Sequence, residues 1–158
     1  MYTVEHFRIK YPNILERALG IAIDAHAGQI DKGGTPYIFH PLWVMEHVNR
    51  EFEKVVAVLH DVIEDSVWTL EDLREAGMPS RVIDALEAIT RKVGEPYAVF
   101  INRVNKNEIA RVVKIADITH NMDLRRLNIG GDADTQRMQK YAVALVFLAI
   151  AKESIRDD

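Results

Sequence analysis

The chain has 158 residues, 48% of them apolar and 28% charged, and a formal net charge of -4. These values fit one globular domain with a full core, and the negative charge argues against a nucleic-acid binder. The absence of cysteine excludes disulfides and thiolate metal sites. Charged residues interrupt the N-terminus, so no signal peptide is evident, and the longest apolar run is too short to span a bilayer. We therefore expect a cytoplasmic protein without membrane or nucleic-acid partners, while its oligomeric state is left open.

The first part of the chain has helical periodicity. Thr3 could cap a short helix, and apolar residues recur at helical spacing from Asn13 to about Ala27, where Gly28 is a plausible end.

A loop with two adjacent glycines follows and leads to His40. Pro41 at a first helical position predicts a helix over residues 42–49, with His40 presented at its start. A single His before Pro is more often a cap or a surface residue. Glycine loops, however, let backbone approach a ligand closely, so a substrate loop is the functional interpretation. Lys32 in this loop is a candidate phosphate contact, although an exposed Lys is more often only solvated.

The centre of the chain is an apolar run that ends in a cluster of polar residues, and it predicts one buried helix over residues 51–65. At about 100° per residue, His60 and Glu64 share one helix face, and Asp61 and Asp65 share the neighbouring face. A buried cluster of this kind is costly unless a cation compensates it. The alternative is an acidic helix end exposed to solvent. The apolar lead-in favours a divalent ion at His60 and Asp61, with the two later carboxylates acting on its water.

The rest of the chain is also helical in pattern. Helices are predicted from Thr69 to Gly77, from Pro79 to about Thr90, from Pro96 to about Asn105, from Asn107 to about Leu124, and from Asp132 or Asp134, after a break at Gly130-Gly131, to about Ile155. No stretch alternates as a strand does. The sequence therefore predicts an all-α protein with seven or so helices.

The helix predicted from Asn107 carries a second group of polar residues. Asp117, His120, Asn121 and Leu124 are spaced i, i+3, i+4 and i+7, so they line one face, with Lys114 one turn earlier. A carboxylate in such an apolar helix needs a partner. Either Asp117 pairs with Lys114 or an arginine, or it is a metal ligand with Asn121 reaching substrate or a bound water. The residues themselves leave both alternatives open.

In chain order, His40, His60-Asp61 and Asp117 form the H…HD…D pattern of the HD-domain metal-dependent phosphohydrolases. Three longer stretches resemble the hydrolase domain of Rel/SpoT-type alarmone enzymes. These stretches are Ala25–Pro41, Leu59–Asp65 with the HDxxED motif, and Lys114–Met122. The likeness runs from about residue 18 to 125 and shows no synthetase domain or regulatory tail. It is therefore a resemblance to the stand-alone small alarmone hydrolases.

The resemblance implies a single HD-domain helical bundle over residues 1–158. It implies removal of the 3′-pyrophosphate from a nucleotide polyphosphate substrate such as ppGpp or pppGpp, with a Mn²⁺ ion as cofactor. The metal ligands implied by the match are His40, His60, Asp61 and Asp117. Glu64 and Asp65 match the pair that orients or deprotonates the attacking water. Asn121 matches a residue near the nucleotide, and Lys32 matches a basic loop residue of the substrate site.

Two positions depart from the family pattern. Asp31 stands where the family usually has an arginine that lies against the nucleobase, which leaves adenine analogues such as ppApp open beside guanine. Leu124 stands where a small hydroxyl residue is common. The polyphosphate also needs cations, and the nearest candidates by pattern are Lys32, Arg17, Lys114 and Arg125.

Two alternative functions remain. One is an HD nucleotidase acting on other nucleotides, against which the Glu64-Asp65 pair and the loop before His40 argue. The other is a non-catalytic nucleotide-binding domain, which an incomplete set of metal ligands would favour. Here the set is complete, so hydrolysis of an alarmone is the main hypothesis.

Overall fold

Helices form the regular secondary structure in the part of the chain that this computed structural model describes, residues 3–123 and 132–153. Beside them, Ile30 and Pro36 make one isolated antiparallel bridge within the loop before α3. The helices are α1 (Val4–Lys10), α2 (Ile14–Ala25), α3 (Phe39–Glu46), α4 (Glu51–Leu59), α5 (Val62–Asp65), α6 (Leu70–Glu75), α7 (Ser80–Ile89), α8 (Tyr97–Asn105), α9 (Glu108–Asn121) and α10 (Asp132–Glu153). The all-α prediction is confirmed.

Helix α4 lies at the centre and packs against α2, α3, α7 and α9. Its last five residues, 55–59, have no solvent-accessible surface. A helix that is apolar on every side is stable only when it is covered all round. The polar residues directly after α4 are therefore carried into the interior, where they meet α3 and α9.

The predicted single helix over residues 51–65 is wrong. Helix α4 ends at Leu59, and α5 begins only at Val62. The side chain of His60 donates from Nδ1 to the carbonyl oxygen of Ala57 at 2.7 Å, so it takes an acceptor that a continuing helix would use for its backbone. The backbone turn resumes when the amide of Asp65 donates to the carbonyl of Asp61 at 2.9 Å. No Gly or Pro marks this break in the sequence.

Helix α3 is also displaced from its predicted position. It begins at Phe39 and ends at Glu46, so His40 lies inside its first turn and not before it. Pro41 is tolerated at the third position because the first turn of a helix needs no backbone donors. The amide of His40 donates to the carbonyl of Tyr37 at 2.9 Å, which starts the turn earlier than the proline suggests.

Several predicted boundaries are confirmed. Thr3 accepts the amide of His6 at the start of α1, and Thr69 and Asp72 cap α6 reciprocally. Gly28, just past α2, has a φ of 78°, a conformation that favours glycine. Ten helices are described where seven or so were predicted, partly because α1 and α5 are short. The predicted break at Gly130-Gly131, Leu124 and the predicted end at Ile155 lie outside the described residues.

The described helices also bear on the membrane prediction. None of the helices in residues 3–123 and 132–153 combines the length and the hydropathy needed to cross a bilayer.

Candidate functional site

Four predicted ligands from three separate segments meet in the interior. His40 lies on α3, His60 and Asp61 lie between α4 and α5, and Asp117 lies on α9. Nε2 of His40 is 3.1 Å from Oδ1 of Asp117 and 3.6 Å from Oδ2 of Asp61. Nε2 of His60 is 3.0 Å from Oδ2 of Asp61 and 3.6 Å from Oδ1 of Asp117. One ligand atom from each of His40, His60 and Asp61 can be chosen so that all lie within 4.8 Å of one another.

The side chain of His60 shows what this group of atoms can hold. Because Nδ1 donates to a backbone carbonyl, the neutral form of the ring carries its lone pair on Nε2. That nitrogen is buried and makes no hydrogen bond, although a carboxylate oxygen is 3.0 Å away. A buried nitrogen without a hydrogen bond needs another partner. Two imidazoles and two carboxylates are a donor set that suits a divalent cation such as Mn, Fe or Zn.

The charges of the site are strongly coupled. Burial alone would lower the pKa of His60, but the carboxylates of Asp61 and Asp117 raise it well above its ordinary value. Burial would raise the pKa of Asp61, but the charge on His60 lowers it. The site therefore holds ionised carboxylates that a proton on His60 can compensate. A metal ion would replace that proton, so metal binding releases it.

Asp117 makes the pair with Lys114 that was one of its two alternatives, and its other carboxylate oxygen faces the imidazoles. Its Oδ2 accepts from Nζ of Lys114 at 2.7 Å, and its Oδ1 faces the two imidazoles and accepts from Nδ2 of Asn121 at 2.6 Å. Burial would raise the pKa of this carboxyl, but the charge of Lys114 holds it well below its usual range. Lys114 is therefore a partner of the site carboxylate.

Helix α5 places Glu64 and Asp65 at the mouth of the site. Oε1 of Glu64 accepts from the backbone amide of Arg91 at 2.7 Å, which ties the carboxylate to the α7–α8 loop. Desolvation is the largest cause that raises the pKa of Glu64 and of Asp65 above the ordinary carboxyl values. A carboxylate with a raised pKa is a stronger base. The pair can therefore accept a proton close to the four ligands.

The loop that holds Glu64 is itself organised by Arg103 of α8. The guanidinium group donates to three backbone carbonyls and to both oxygens of one carboxylate. These acceptors are the carbonyls of Glu87, Ala88 and Thr90 and the side chain of Glu95. Arg103 therefore fixes the course of the chain on both sides of Arg91.

A cavity of about 280 Å³ adjoins the site, where Tyr37 and Asn121 bond to Asp61 and Asp117. It is lined by Ile30, Asp31, Lys32, Tyr37, Asn121, Arg137 and Tyr141. The two predicted substrate contacts, Lys32 and Asn121, share this cavity. A larger groove of about 750 Å³ between α8 and α10 is mostly apolar and contains none of the predicted site residues. The smaller cavity is the candidate for the nucleotide because it holds both predicted substrate contacts.

The unusual Asp31 has a local structural role. Its Oδ1 accepts from the amides of Gly33 and Thr35, each at 2.9 Å, and so closes the turn between α2 and α3. The carboxylate thereby helps to shape the loop that carries Lys32. This is a physical reason for an acidic residue at this position.

Sequence reasoning missed several side chains of the site. The hydroxyl of Tyr37 donates to Oδ2 of Asp61 at 2.5 Å. The Nδ1 atom of His120 lies 2.7 Å from the Nδ1 atom of His40. The spacing i, i+3 of Tyr37 and His40 was a usable signal for a shared face. Arg137 and Tyr141 gave no signal, because only the fold brings α10 to this cavity.

The prediction for Arg17 as a substrate cation is wrong. Its side chain is buried and donates to the carbonyls of Tyr11 at 2.9 Å, Pro12 at 3.1 Å and Ala76 at 2.8 Å. The guanidinium group therefore joins the chain before α2 to the end of α6. Arg125 lies outside the described residues.

Comparisons with known proteins give relatives of one kind, although no protein-family model matches the chain. A probable GTP pyrophosphokinase of Mycobacterium leprae is 32% identical over 126 residues, which is 72% of this chain and 16% of that protein. A guanosine-3′,5′-bis(diphosphate) 3′-pyrophosphohydrolase of Haemophilus influenzae is 34% identical over 116 residues, 65% of this chain and 17% of that protein. The bifunctional (p)ppGpp synthase/hydrolase SpoT of Escherichia coli is 31% identical over 123 residues, 68% of this chain and 17% of SpoT.

The fold has a relative among solved structures. A metazoan ortholog of SpoT, described as hydrolysing ppGpp, superposes with a TM-score of 0.73 and 23% identity over 87% of this chain and 86% of that one. The chain thus spans about a sixth of the curated relatives that it matches, and most of this structural neighbour. By its sequence the chain belongs to the Rel/SpoT family, and its helical fold is that of the solved SpoT ortholog.

Proposed function

We propose that this protein removes the 3′-pyrophosphate from guanosine 3′,5′-bis(diphosphate)-type nucleotides, ppGpp or pppGpp, with Mn²⁺ as the metal and residues 1–158 as one HD hydrolase domain. The observation that carries the proposal is the meeting of two imidazoles and two carboxylates in the interior, with a second pair of carboxylates on α5 whose charges interact with Asp61. The printed name of the Haemophilus influenzae relative supplies the substrate class.

The residues that would hold the ion are His40, His60, Asp61 and Asp117. A bound divalent ion would polarise a phosphoryl oxygen and lower the pKa of a coordinated water. The protein's own part is to keep the four ligands in place. Tyr37 contributes by donating to Asp61, since burial and the charge of Asp61 raise the pKa of its phenol and keep it protonated.

Glu64 would accept the proton of the attacking water. Its Oε1 is already occupied by the Arg91 amide, so Oε2 is the oxygen left to face the water. Asp65 beside it would orient that water. The water oxygen then bonds to the phosphorus attached to the 3′-oxygen, and the bond from phosphorus to the 3′-oxygen breaks. Pyrophosphate leaves, and the 3′-oxygen takes up a proton to give the nucleoside 5′-diphosphate.

The cavity beside the ligands would receive the nucleotide. Lys32 and Arg137 supply positive charge for its phosphates, and Asn121 supplies an amide between the cavity and Asp117. Because Asp31 is engaged in the loop turn, it does not repeat the stacking group of the family at the base. Guanine and adenine forms are therefore both substrates to be tested.

The proposal is tested by offering the purified protein, with Mn²⁺, three substrates in parallel: ppGpp, ppApp and a deoxynucleoside triphosphate. Products are separated by chromatography. We expect pyrophosphate and a nucleoside 5′-diphosphate from at least one of the first two, and no turnover by Asp61→Asn. Turnover of the triphosphate alone would favour a nucleotidase. Binding without turnover of all three would favour a non-catalytic nucleotide-binding domain.

The cytoplasmic location and the absence of nucleic-acid and membrane partners stay predictions from composition.

A further inference from the structure

We propose that His120 is a positioning residue that holds His40 in the tautomer needed to bind the metal ion. The inference rests on the metal site of the proposed function, and it names a role for a side chain that does not itself face the ion.

The contact between the two histidines is direct and buried. Nδ1 of His40 lies 2.7 Å from Nδ1 of His120, although the residues are 80 positions apart in the chain. The side chains are 3% and 7% exposed. Their rings are nearly parallel, with an angle of 3° between planes and 5.0 Å between centroids. The hydrogen bond therefore joins α3 to α9 just behind the ligand atoms.

The position of His40 fixes the direction of this hydrogen bond in the metal-bound state. Its Nε2 is the atom that faces the carboxylates of Asp61 and Asp117, so Nε2 must offer its lone pair to the ion. A neutral imidazole then carries its proton on Nδ1. That N–H has the Nδ1 of His120 at hydrogen-bond distance, so His120 must accept there and carry its own proton on Nε2.

The second histidine ligand shows the same arrangement with a different partner. Nδ1 of His60 donates to the carbonyl oxygen of Ala57, a group that can only accept. The tautomer of His60 is thus set by backbone, whereas that of His40 is set by a side chain. Metal-bound histidines commonly donate their second ring nitrogen to such a partner, which orients the ring and raises its basicity.

The ring of His120 is held by an aromatic neighbour. Trp43, one turn after His40 on α3, stacks on His120 with centroids 4.2 Å apart and 8° between planes. Stacking fixes the plane of the imidazole, and the hydrogen bond fixes its rotation within that plane. The two contributions can be separated by substitution. A phenylalanine keeps the stacking on Trp43 without the hydrogen bond, and an asparagine keeps a hydrogen-bond acceptor without the stacking.

The test compares His120→Phe, which keeps an aromatic ring but has no acceptor, with His120→Asn, which keeps an acceptor near the Nδ1 position but has no ring. Binding of Mn²⁺ is measured by calorimetry without nucleotide, so the result does not depend on hydrolysis. We expect His120→Phe to bind Mn²⁺ about 10–100-fold more weakly and His120→Asn to stay near wild type. The control is His6→Asn on α1, a helix whose main packing partners are α2 and α6, and this change should leave Mn²⁺ affinity unaltered.

Equal affinities for wild type and His120→Phe would overturn the proposal, and so would equal weakening of the Phe and Asn variants, which would assign the effect to ring packing. Circular dichroism checks that both variants fold. If either does not, nitrogen-15 NMR of the wild type loaded with diamagnetic Zn²⁺ decides the matter. A proton on Nδ1 of His40 and none on Nδ1 of His120 supports the proposal, and the reverse overturns it. Tight Mn²⁺ binding without turnover would count against the proposed function alone.

Discussion

Glu64→Gln separates the chemical role of this side chain from its structural role. In the wild type, Oε1 accepts the amide of Arg91 at 2.7 Å, and a glutamine can keep that bond through its own carbonyl oxygen. The α7–α8 loop should therefore stay in place. What the variant loses is the carboxylate that would take the proton from water. Since Glu64 is not among the four proposed ligands, the affinity of the variant protein for Mn²⁺ should change little.

The expected magnitude follows from the lost proton transfer. A positioned general base contributes about 10²–10⁴-fold in rate, which corresponds to roughly 3–5 kcal/mol of transition-state stabilisation at 1.36 kcal/mol per factor of ten. We expect kcat for pyrophosphate release to fall by that factor. Glu64→Ala should lose the same activity and also stability, because the Arg91 amide then has no protein partner, a loss of about 1.5 kcal/mol at this solvent-accessible position.

The assay is pyrophosphate release at saturating nucleotide and Mn²⁺, with calorimetry for the metal and urea unfolding for stability. The matched comparison is between the Gln and Ala variants, since both lack the carboxylate and only Gln can keep the loop hydrogen bond. A kcat of Glu64→Gln within threefold of wild type would refute the role as base. Loss of Mn²⁺ binding in that variant would instead make Glu64 a ligand.

Three further predictions follow from the same contacts. Asp61→Asn and Asp117→Asn should each abolish Mn²⁺ binding and hydrolysis together, and full activity with either would remove that residue from the site. Arg103→Met should lower kcat, with Mn²⁺ affinity unchanged in calorimetry, because it loosens the loop that donates to Glu64; an unaltered kcat would show that the loop holds its course without Arg103. The pKa of Glu95 is lowered from its ordinary 4.5, chiefly by the hydrogen bond from Arg103. Its contribution to the free energy of unfolding is therefore complete above pH 4.5 and lost as the pH falls through the lowered value. Urea unfolding between pH 3 and 6 should show a shallower loss for Glu95→Gln than for wild type, and equal slopes would contradict this linkage.

The four residues of the proposed metal site could be singled out from the sequence by the family resemblance and by their apolar surroundings. His60 and Asp61 follow a fully apolar run, and Asp117 sits within an apolar helix, so each polar group required a partner. Local partners account for part of this need, since Lys114 and Asn121 both bond to Asp117. The structure brings them to within hydrogen-bond distance of His40 or of one another. The helical fold was equally accessible, because no segment alternates with the period of a strand.

What the sequence did not reveal depends on contacts between distant segments. Arg17 carries the positive charge that a phosphate contact needs. Its hydrogen bond to the carbonyl of Ala76, 59 positions away, shows that it stabilises the fold instead. His120 acquires its role from a residue 80 positions away. No Gly or Pro signals the break after Leu59. It coincides instead with the imidazole of His60, which bonds to the backbone carbonyl of Ala57. Side chains that compete with the backbone are not visible in hydrophobic periodicity.

Anomalous scattering from crystals grown with Mn²⁺ would test the proposed metal site directly, without any substrate. We predict one strong peak per chain, roughly 2.0–2.3 Å from Nε2 of His40, Nε2 of His60 and one carboxylate oxygen each of Asp61 and Asp117. A peak elsewhere, or an ion that leaves either imidazole unengaged, would contradict the assignment on which the proposed hydrolysis depends.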